Sequence, residues 1–157
     1  MDDKLKRIGL ISDTHGLLRD SAVKALADSD IIIHAGDIDT PDIIDTLKKI
    51  APVFPVRGNM DRNPKGAVLP KYEIVEMDEI AIYVLHDLYQ LDLDPATAGF
   101  DVVVSGHSHR PKIEYRDGVL YINPGSAGPR RFTLPISVGR LEIENGRITP
   151  KIIEIHE

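Results

Sequence analysis

Cysteine is absent from the 157 residues. That excludes disulfides, thiolate catalysis and sulfur-ligated zinc together, and leaves the oxygens and nitrogens of Asp, Glu, Asn and His as the strong metal donors. Long hydrophobic runs are absent too. The longest apolar stretches span only a few residues and the opening MDDKLKR leads directly into a strand, so neither a membrane span nor a secretory leader is expected, and the location expected is cytoplasmic. An excess of positive charge is also missing. With 19 Lys and Arg against 25 Asp and Glu the net charge is −6, which argues against stable, broadly electrostatic binding to nucleic acid. A locally positive site stays open, above all one whose charge is a metal. No repeat, linker or low-complexity segment interrupts the chain.

What is present is the composition of an ordinary folded domain. Hydrophobic residues make up 42% and charged residues 28%, and the length suits a single domain, 1–157, that buries roughly 70% of its unfolded surface. RIGLIS (7–12), DIIIHAG (30–36) and PVFPVRG (52–58) are short apolar strands, while LLRDSAVKALADS (17–29) and TPDIIDTLKKI (40–50) repeat at helical spacing. Thr40 suits the N-cap of the second helix, Pro41 its first turn, Asp42 and Asp45 its positive end, and Lys48 and Lys49 its negative end. The first part of the chain therefore spells β-α-β-α-β, the pattern of a parallel sheet with crossover helices. Beyond it, KYEIVEM (71–77) and EIAIYVL (79–85) form an expected hairpin about Asp78. A short helix near Pro95 to Ala98 precedes the strand DVVVSG (101–106). KIEYR, VLYIN, PISVGRLEI and ITPKIIEI follow as strands, with turn signals at Asp117-Gly118 and Asn145-Gly146. This half is expected to be mostly antiparallel, and two sheets packed face to face with helices outside reconcile the halves.

The strands stop on one kind of residue. RIGLIS ends in Asp13-Thr14-His15, DIIIHAG in Asp37, PVFPVRG in Asn59, EIAIYVL in His86, and DVVVSG in His107-Ser108-His109. In open α/β sheets the carboxyl ends of the strands converge on one crevice. Asp13/His15 and His107/His109 are two apart, so in extended segments both members of each pair point the same way. Turn and cap preferences alone can place an Asp or Asn there, but histidine has no comparable preference, and four of the six histidines lie at these stops. His34, inside a strand, reads as structural or supporting, and His156 as terminal. Seven candidate donors suit two divalent ions better than one. With Asp37 bridging, each ion receives about four protein donors and keeps an open position for water. Asp13, Asp37 and a bridging hydroxide against two divalent ions leave a centre of about +1, which favours an anion such as phosphate.

In this order, DTHG (13–16), GD (36–37), GN (58–59), His86 and GHSH (106–109) resemble the motifs of the calcineurin-like metallophosphoesterase superfamily. The short length and YINPGSAGPRR (121–131) are similar to its small YfcE-type phosphodiesterase branch. Any single motif would be weak; the ordered set covers nearly the whole chain. The resemblance implies an α/β fold, a four-layer α/β/β/α sandwich of two mixed sheets. It implies Asp13, His15, Asp37 and His109 around one ion and Asp37, Asn59, His86 and His107 around the other. Manganese is the implied cofactor, with iron, zinc, nickel or cobalt as alternatives. The activity implied is hydrolysis of a small phosphodiester by a metal-bridging hydroxide. Catalysis is then carried by Asp37, Asn59 and His86 through that hydroxide, with no protein general acid identified. Asn59 and Ser126 are the candidates for touching substrate, although Asn123-Pro124-Gly125 is equally a simple turn. Arg130 and Arg131 read as surface charges. A homodimer or tetramer is the expected assembly, with no membrane partner.

Two positions depart from the family. Larger members carry histidine directly after GN, where it can serve the leaving group; Met60 cannot, so esters with an acidic leaving alcohol are expected to be preferred. Asp87 stands where many relatives have glycine, and either tightens its loop or adds negative charge near the second ion. The competing expectations are a protein-binding scaffold resembling a eukaryotic retromer subunit, with a vestigial metal site, and a phosphomonoesterase or nuclease on the same fold.

Overall fold

The computed structural model describes residues 4–59, 61 and 69–156. Strands β1 (Lys6–Ile11), β2 (Ile31–His34) and β3 (Val53–Pro55) are connected by helices α1 (Asp20–Ala25) and α2 (Pro41–Lys48). They pair in parallel, Ile8 opposite Ile31 and Ile32 opposite Val53, as the β-α-β-α-β pattern requires. Helix α1 is shorter than its apolar pattern, because past Ala25 the chain tightens: the Leu26 and Ala27 amides bond to the Val23 and Lys24 carbonyls, three residues back. Thr40 does occupy the N-cap of α2, but its hydroxyl makes no capping bond; Pro41 lessens that need by having no N–H.

The second sheet contains β4 (Tyr72–Met77), β5 (Ile80–Leu85), β6 (Val102–Val104), β7 (Lys112–Arg116) and β8 (Val119–Asn123) in the order β4-β5-β6-β8-β7. The later half of the chain is mostly antiparallel, as expected, but the interior of this sheet is not. β5, β6 and β8 run parallel, and antiparallel pairing is confined to the two edge hairpins. Val102, Val103 and Val104 are all buried, the pattern of a strand covered on both faces. The last two strands, β9 (Ser137–Glu144) and β10 (Arg147–Glu154), join the first sheet instead, giving the order β10-β9-β1-β2-β3 with β9 antiparallel to β1.

Alternation along the strands sorts the core. Ile8, Leu10, Ile31, Ile33, Val102 and Val104 face the other sheet. Ile11 and Ile32 face outward onto Ala22, Leu26, Ile43 and Leu47 of the α1 and α2 region, and Val103 onto Leu88, Leu91 and Phe100. The layers are therefore α/β/β/α. The last is thin, built from a 3-10 turn at Leu88–Gln90 and helix α3 (Pro95–Ala98). Among the described residues no helix is long and apolar enough to cross a membrane.

Candidate metal centre

Five strand ends deliver the candidate donors. Three of them do so through left-handed backbone, and the two i, i+2 pairs are not extended as expected: Asp13, His15, Asp37, His107 and His109 have φ of 55°, 47°, 60°, 73° and 63°. Such φ values are uncommon outside glycine and cluster where function requires a fixed geometry. Two glycines let the loops close. A Cβ on Gly36, itself at φ 104°, would sit 2.6 Å from His86 Nδ1, and one on Gly58 would overlap Asp37.

The carboxylate of Asp13 is fully buried. Its Oδ2 accepts from the Ser12 hydroxyl at 2.7 Å and from the His107 amide at 3.0 Å. Its Oδ1 faces His109, His15 and His86 Nε2 at 3.4, 3.7 and 3.8 Å. Asp37 Oδ2 stands 3.1 Å from His86 Nε2 and 3.7 Å from His15 Nε2. The tautomer of His86 follows from its other nitrogen. Nδ1 lies 2.7 Å from the Ala35 carbonyl, which can only accept, so Nδ1 carries the proton and neutral Nε2 turns a lone pair toward two carboxylates. Lone pairs facing carboxylates repel unless a cation lies among them. Asp13 Oδ1, His15 Nε2 and His86 Nε2, which face one another, are in fact buried with no hydrogen-bond partner, a condition that costs about 1–3 kcal/mol per group when nothing compensates. Asp13, His15 and His109, and likewise Asp13, Asp37 and His86, hold donor atoms within 4.8 Å of one another. The donor set thus fits a divalent ion.

Asn59 and His107 complete the cluster on its open side. Asn59 Nδ2 is 3.4 Å from His107 Nδ1, and the His107 ring stands 5.2 Å from that of His86. All seven predicted donors are therefore contiguous, five of them packed closely and these two more exposed. Asp87 tightens its loop and stands beside His107. Oδ1 accepts from the Tyr89 amide at 3.1 Å, tightening the loop, and Oδ2 lies 3.9 Å from His107 Nε2. Met60 lies outside the described residues.

Charge shifts follow the packing. The Asp13 carboxylate beside His15 raises that imidazole against the opposing effect of burial. Burial would lower His86, but the Asp37 and Asp13 carboxylates outweigh it and the net direction is up. Burial lowers His109, with Asp13 opposing. Burial also works to raise Asp13, yet His15, His86 and Ser12 hold it below the usual carboxylate value. A metal held here needs the imidazoles neutral and therefore competes with their protons.

Behind the donors is a supporting layer. His34, buried and lowered to about 4 by desolvation, accepts from the Gly36 amide at Nδ1 (3.1 Å) and meets the Thr14 hydroxyl at Nε2 (3.0 Å). Ser126 is buried, and its hydroxyl donates to the Asp13 carbonyl at 3.1 Å. Asn123 Nδ2 donates to the Gly106 carbonyl and the Ser108 hydroxyl at 2.9 and 3.1 Å, and the Gly125 amide turns back to Asn123 Oδ1. This segment is a brace under the DTHG and GHSH loops. One residue was missed by sequence reasoning. Asp61, 2% exposed, accepts from four backbone amides: Asp37 at 3.0 Å and Ile38, Asp39 and Gly58 at 2.9 Å each. It ties the GD loop to the GN loop. The available signal was an acid three residues after Gly58.

Residues 7–146 match the sequence model of the calcineurin-like phosphoesterase superfamily domain. A probable metallophosphoesterase of Methanocaldococcus jannaschii is 39% identical over 96% of this chain and 82% of its own. Among solved structures, one described as a novel archaeal phosphodiesterase superposes with a TM-score of 0.79 at 26% identity, covering 95% of this chain and 99% of that one. Vacuolar protein sorting 29 of Cryptosporidium parvum superposes with a TM-score of 0.77 at 21% identity, over 99% and 100% of the two chains.

Proposed function

The chain belongs to the calcineurin-like phosphoesterase superfamily, and from that premise we propose that it is a metal-dependent hydrolase of small phosphodiesters, of the YfcE-type branch. The observation that carries this is the group of three buried polar atoms, Asp13 Oδ1, His15 Nε2 and His86 Nε2, that face one another with no hydrogen-bond partner. A structural cluster would satisfy such atoms internally; a cation site leaves them for its ion. In this proposal Asp13, His15, Asp37 and His109 would hold one divalent ion and Asp37, Asn59, His86 and His107 a second. Manganese is the first candidate, and iron, zinc, nickel or cobalt suit the same imidazole and carboxylate set.

When bound, such ions supply activation of water and neutralisation of the phosphoryl oxygens. The chain's residues prepare that chemistry. The Ala35 carbonyl fixes the His86 proton on Nδ1 and frees Nε2. Asp61 holds the backbone of Asp37 through its amide, so the carboxylate presented between His15 and His86 is positioned from behind. Asn59, as a neutral donor, leaves the positive charge of the site undiminished. Methionine at position 60 cannot protonate a leaving alcohol, so acidic leaving groups are favoured. The test is metal content together with hydrolysis of bis-p-nitrophenyl phosphate by the parent, Asp37→Ala and His107→Ala proteins. Both variants are expected to lose metal and at least about a hundredfold in kcat/KM. Full activity in both would remove this cluster from the reaction.

A further inference from the structure

A cleft of about 400 Å³ begins at His107 and runs along the outer face of β7 and β8. Its walls combine two chemistries. Leu88 and the half-buried ring of Tyr121 supply apolar surface, while Arg110, Lys112 and Arg116 bring three cations. The Arg116 guanidinium lies 5.0 Å from the centre of the Tyr121 ring and 2.9 Å from Glu114, whose carboxylate also pairs with Lys112 at 3.1 Å. One carboxylate therefore faces two bases, and Arg110 adds a third. Asp87, also on the wall, offsets one of these charges and still leaves cations in excess, within a chain of net charge −6. At the mouth stands Tyr89, 98% exposed. An aromatic ring held in solvent beside a cationic groove can stack on a planar ring while neighbouring cations hold an anion.

We propose that this cleft is a substrate subsite for a nucleoside carrying a second phosphate. It rests on the phosphodiesterase reading for the bond that is broken, although its binding claim needs no metal. His107 belongs to both the donor cluster and the cleft, so a diester whose reacting phosphate sits at the cluster places its adjoining group here. The base stacks at Tyr89 and the second phosphate meets Arg110 and Lys112. The volume lies in the range of small-molecule sites. A second cleft of similar size, on the Asn59 side, carries Arg57 and Lys71 but no Phe or Tyr on its wall, and so offers nothing for a base to stack on.

Two measurements test the proposal. In chelator, calorimetric titration is expected to give thymidine 3′,5′-bisphosphate a Kd at least about tenfold below that of inorganic phosphate. Tyr89→Ala and Arg110→Ala, both at exposed positions, are each expected to weaken it at least about fivefold. Equal Kd values for the two ligands, or variants indistinguishable from the parent, would overturn the subsite. With manganese, the ratio of kcat/KM for thymidine 5′-p-nitrophenyl phosphate over methyl p-nitrophenyl phosphate, which share a leaving group, is expected to exceed about ten and to fall at least about fivefold in Tyr89→Ala. A parent ratio near one overturns the proposal as well. If neither ester is hydrolysed while the bisphosphate still binds through Tyr89, the hydrolase reading fails and the subsite stands.

Discussion

Replacing Asp61 by alanine tests whether a buried carboxylate outside the donor set holds the centre together. Its two oxygens accept four backbone N–H groups, from Asp37, Ile38, Asp39 and Gly58, all at 2.9–3.0 Å. Truncation leaves four donors around a void. At about 1–3 kcal/mol for each unsatisfied donor the simple sum reaches about 4–12 kcal/mol, comparable to the whole stability of a domain, about 5–15 kcal/mol. Asp39 is only partly buried, so its amide and part of the loop can turn to water. The net loss expected is therefore about 3–5 kcal/mol, the range for breaking a buried charged network. Asp61→Asn keeps one acceptor oxygen but sets an NH₂ against two N–H donors, and should lose about 2–3 kcal/mol. Urea melts in chelator read these losses as a midpoint lowered by about 2 M at a slope of about 2 kcal/mol/M for the alanine variant. Manganese affinity should fall about 10–100-fold, as for other residues that orient a ligand from behind. An alanine variant within about 1 kcal/mol of the parent, binding manganese unchanged, would refute the role assigned to Asp61.

Three further outcomes are expected. Manganese at a hundred times its Kd should add about 2.7 kcal/mol and raise Tm by about 5–10 °C; scanning calorimetry showing no shift with manganese, cobalt or zinc counts against a metal site. In chelator, the raised His15 and His86 stabilise the fold below the ordinary imidazole value of 6.5, a contribution lost as pH rises through their folded values. The lowered His109 and His34, the latter at about 4, act oppositely: their contribution is present above 6.5 and lost as pH falls through their folded values. Metal-free stability should therefore peak near 6.5, and urea melts at about pH 5, 6.5 and 8.5 that rise monotonically contradict the assignment. Finally, with Met60 in place of an acid, kcat/KM across methyl aryl phosphates should fall steeply as the leaving phenol's pKa rises; a flat series would point to a proton donor at the site.

Most of the fold is legible in the chain because burial on both faces leaves unbroken β-branched runs such as III (31–33) and VVV (102–104). Strand partners are not. Nothing local in PISVGRLEI says that β9 pairs with β1 and not with the sheet immediately before it, since that choice depends on long-range packing. The candidate cluster was legible because histidine at a strand end has no turn preference to explain it. Asp61 was hidden for the opposite reason: in NMDRNP an aspartate passes for a turn residue. The left-handed backbone of the two Asp-x-His and His-x-His segments was hidden as well. The i, i+2 spacing is the same in an extended segment, and only packed loops distinguish the two.

The likeness to vacuolar protein sorting 29 concerns fold alone, and the interior of the loops decides between docking scaffold and enzyme. A docking surface acts through exposed side chains and gains nothing from what lies beneath them. Here five residues adopt left-handed backbone, at a cost of about 1–2 kcal/mol each. Three buried polar atoms that face one another, Asp13 Oδ1, His15 Nε2 and His86 Nε2, lack hydrogen bonds. The strain lies in the donor loops, and the unpaired atoms among them are relieved by positive charge at the centre. A pure scaffold would be free to replace those unpaired atoms, because in the absence of an ion nothing compensates their burial. Their joint presence favours a centre under selection for its ion, with surface binding at most an addition to it.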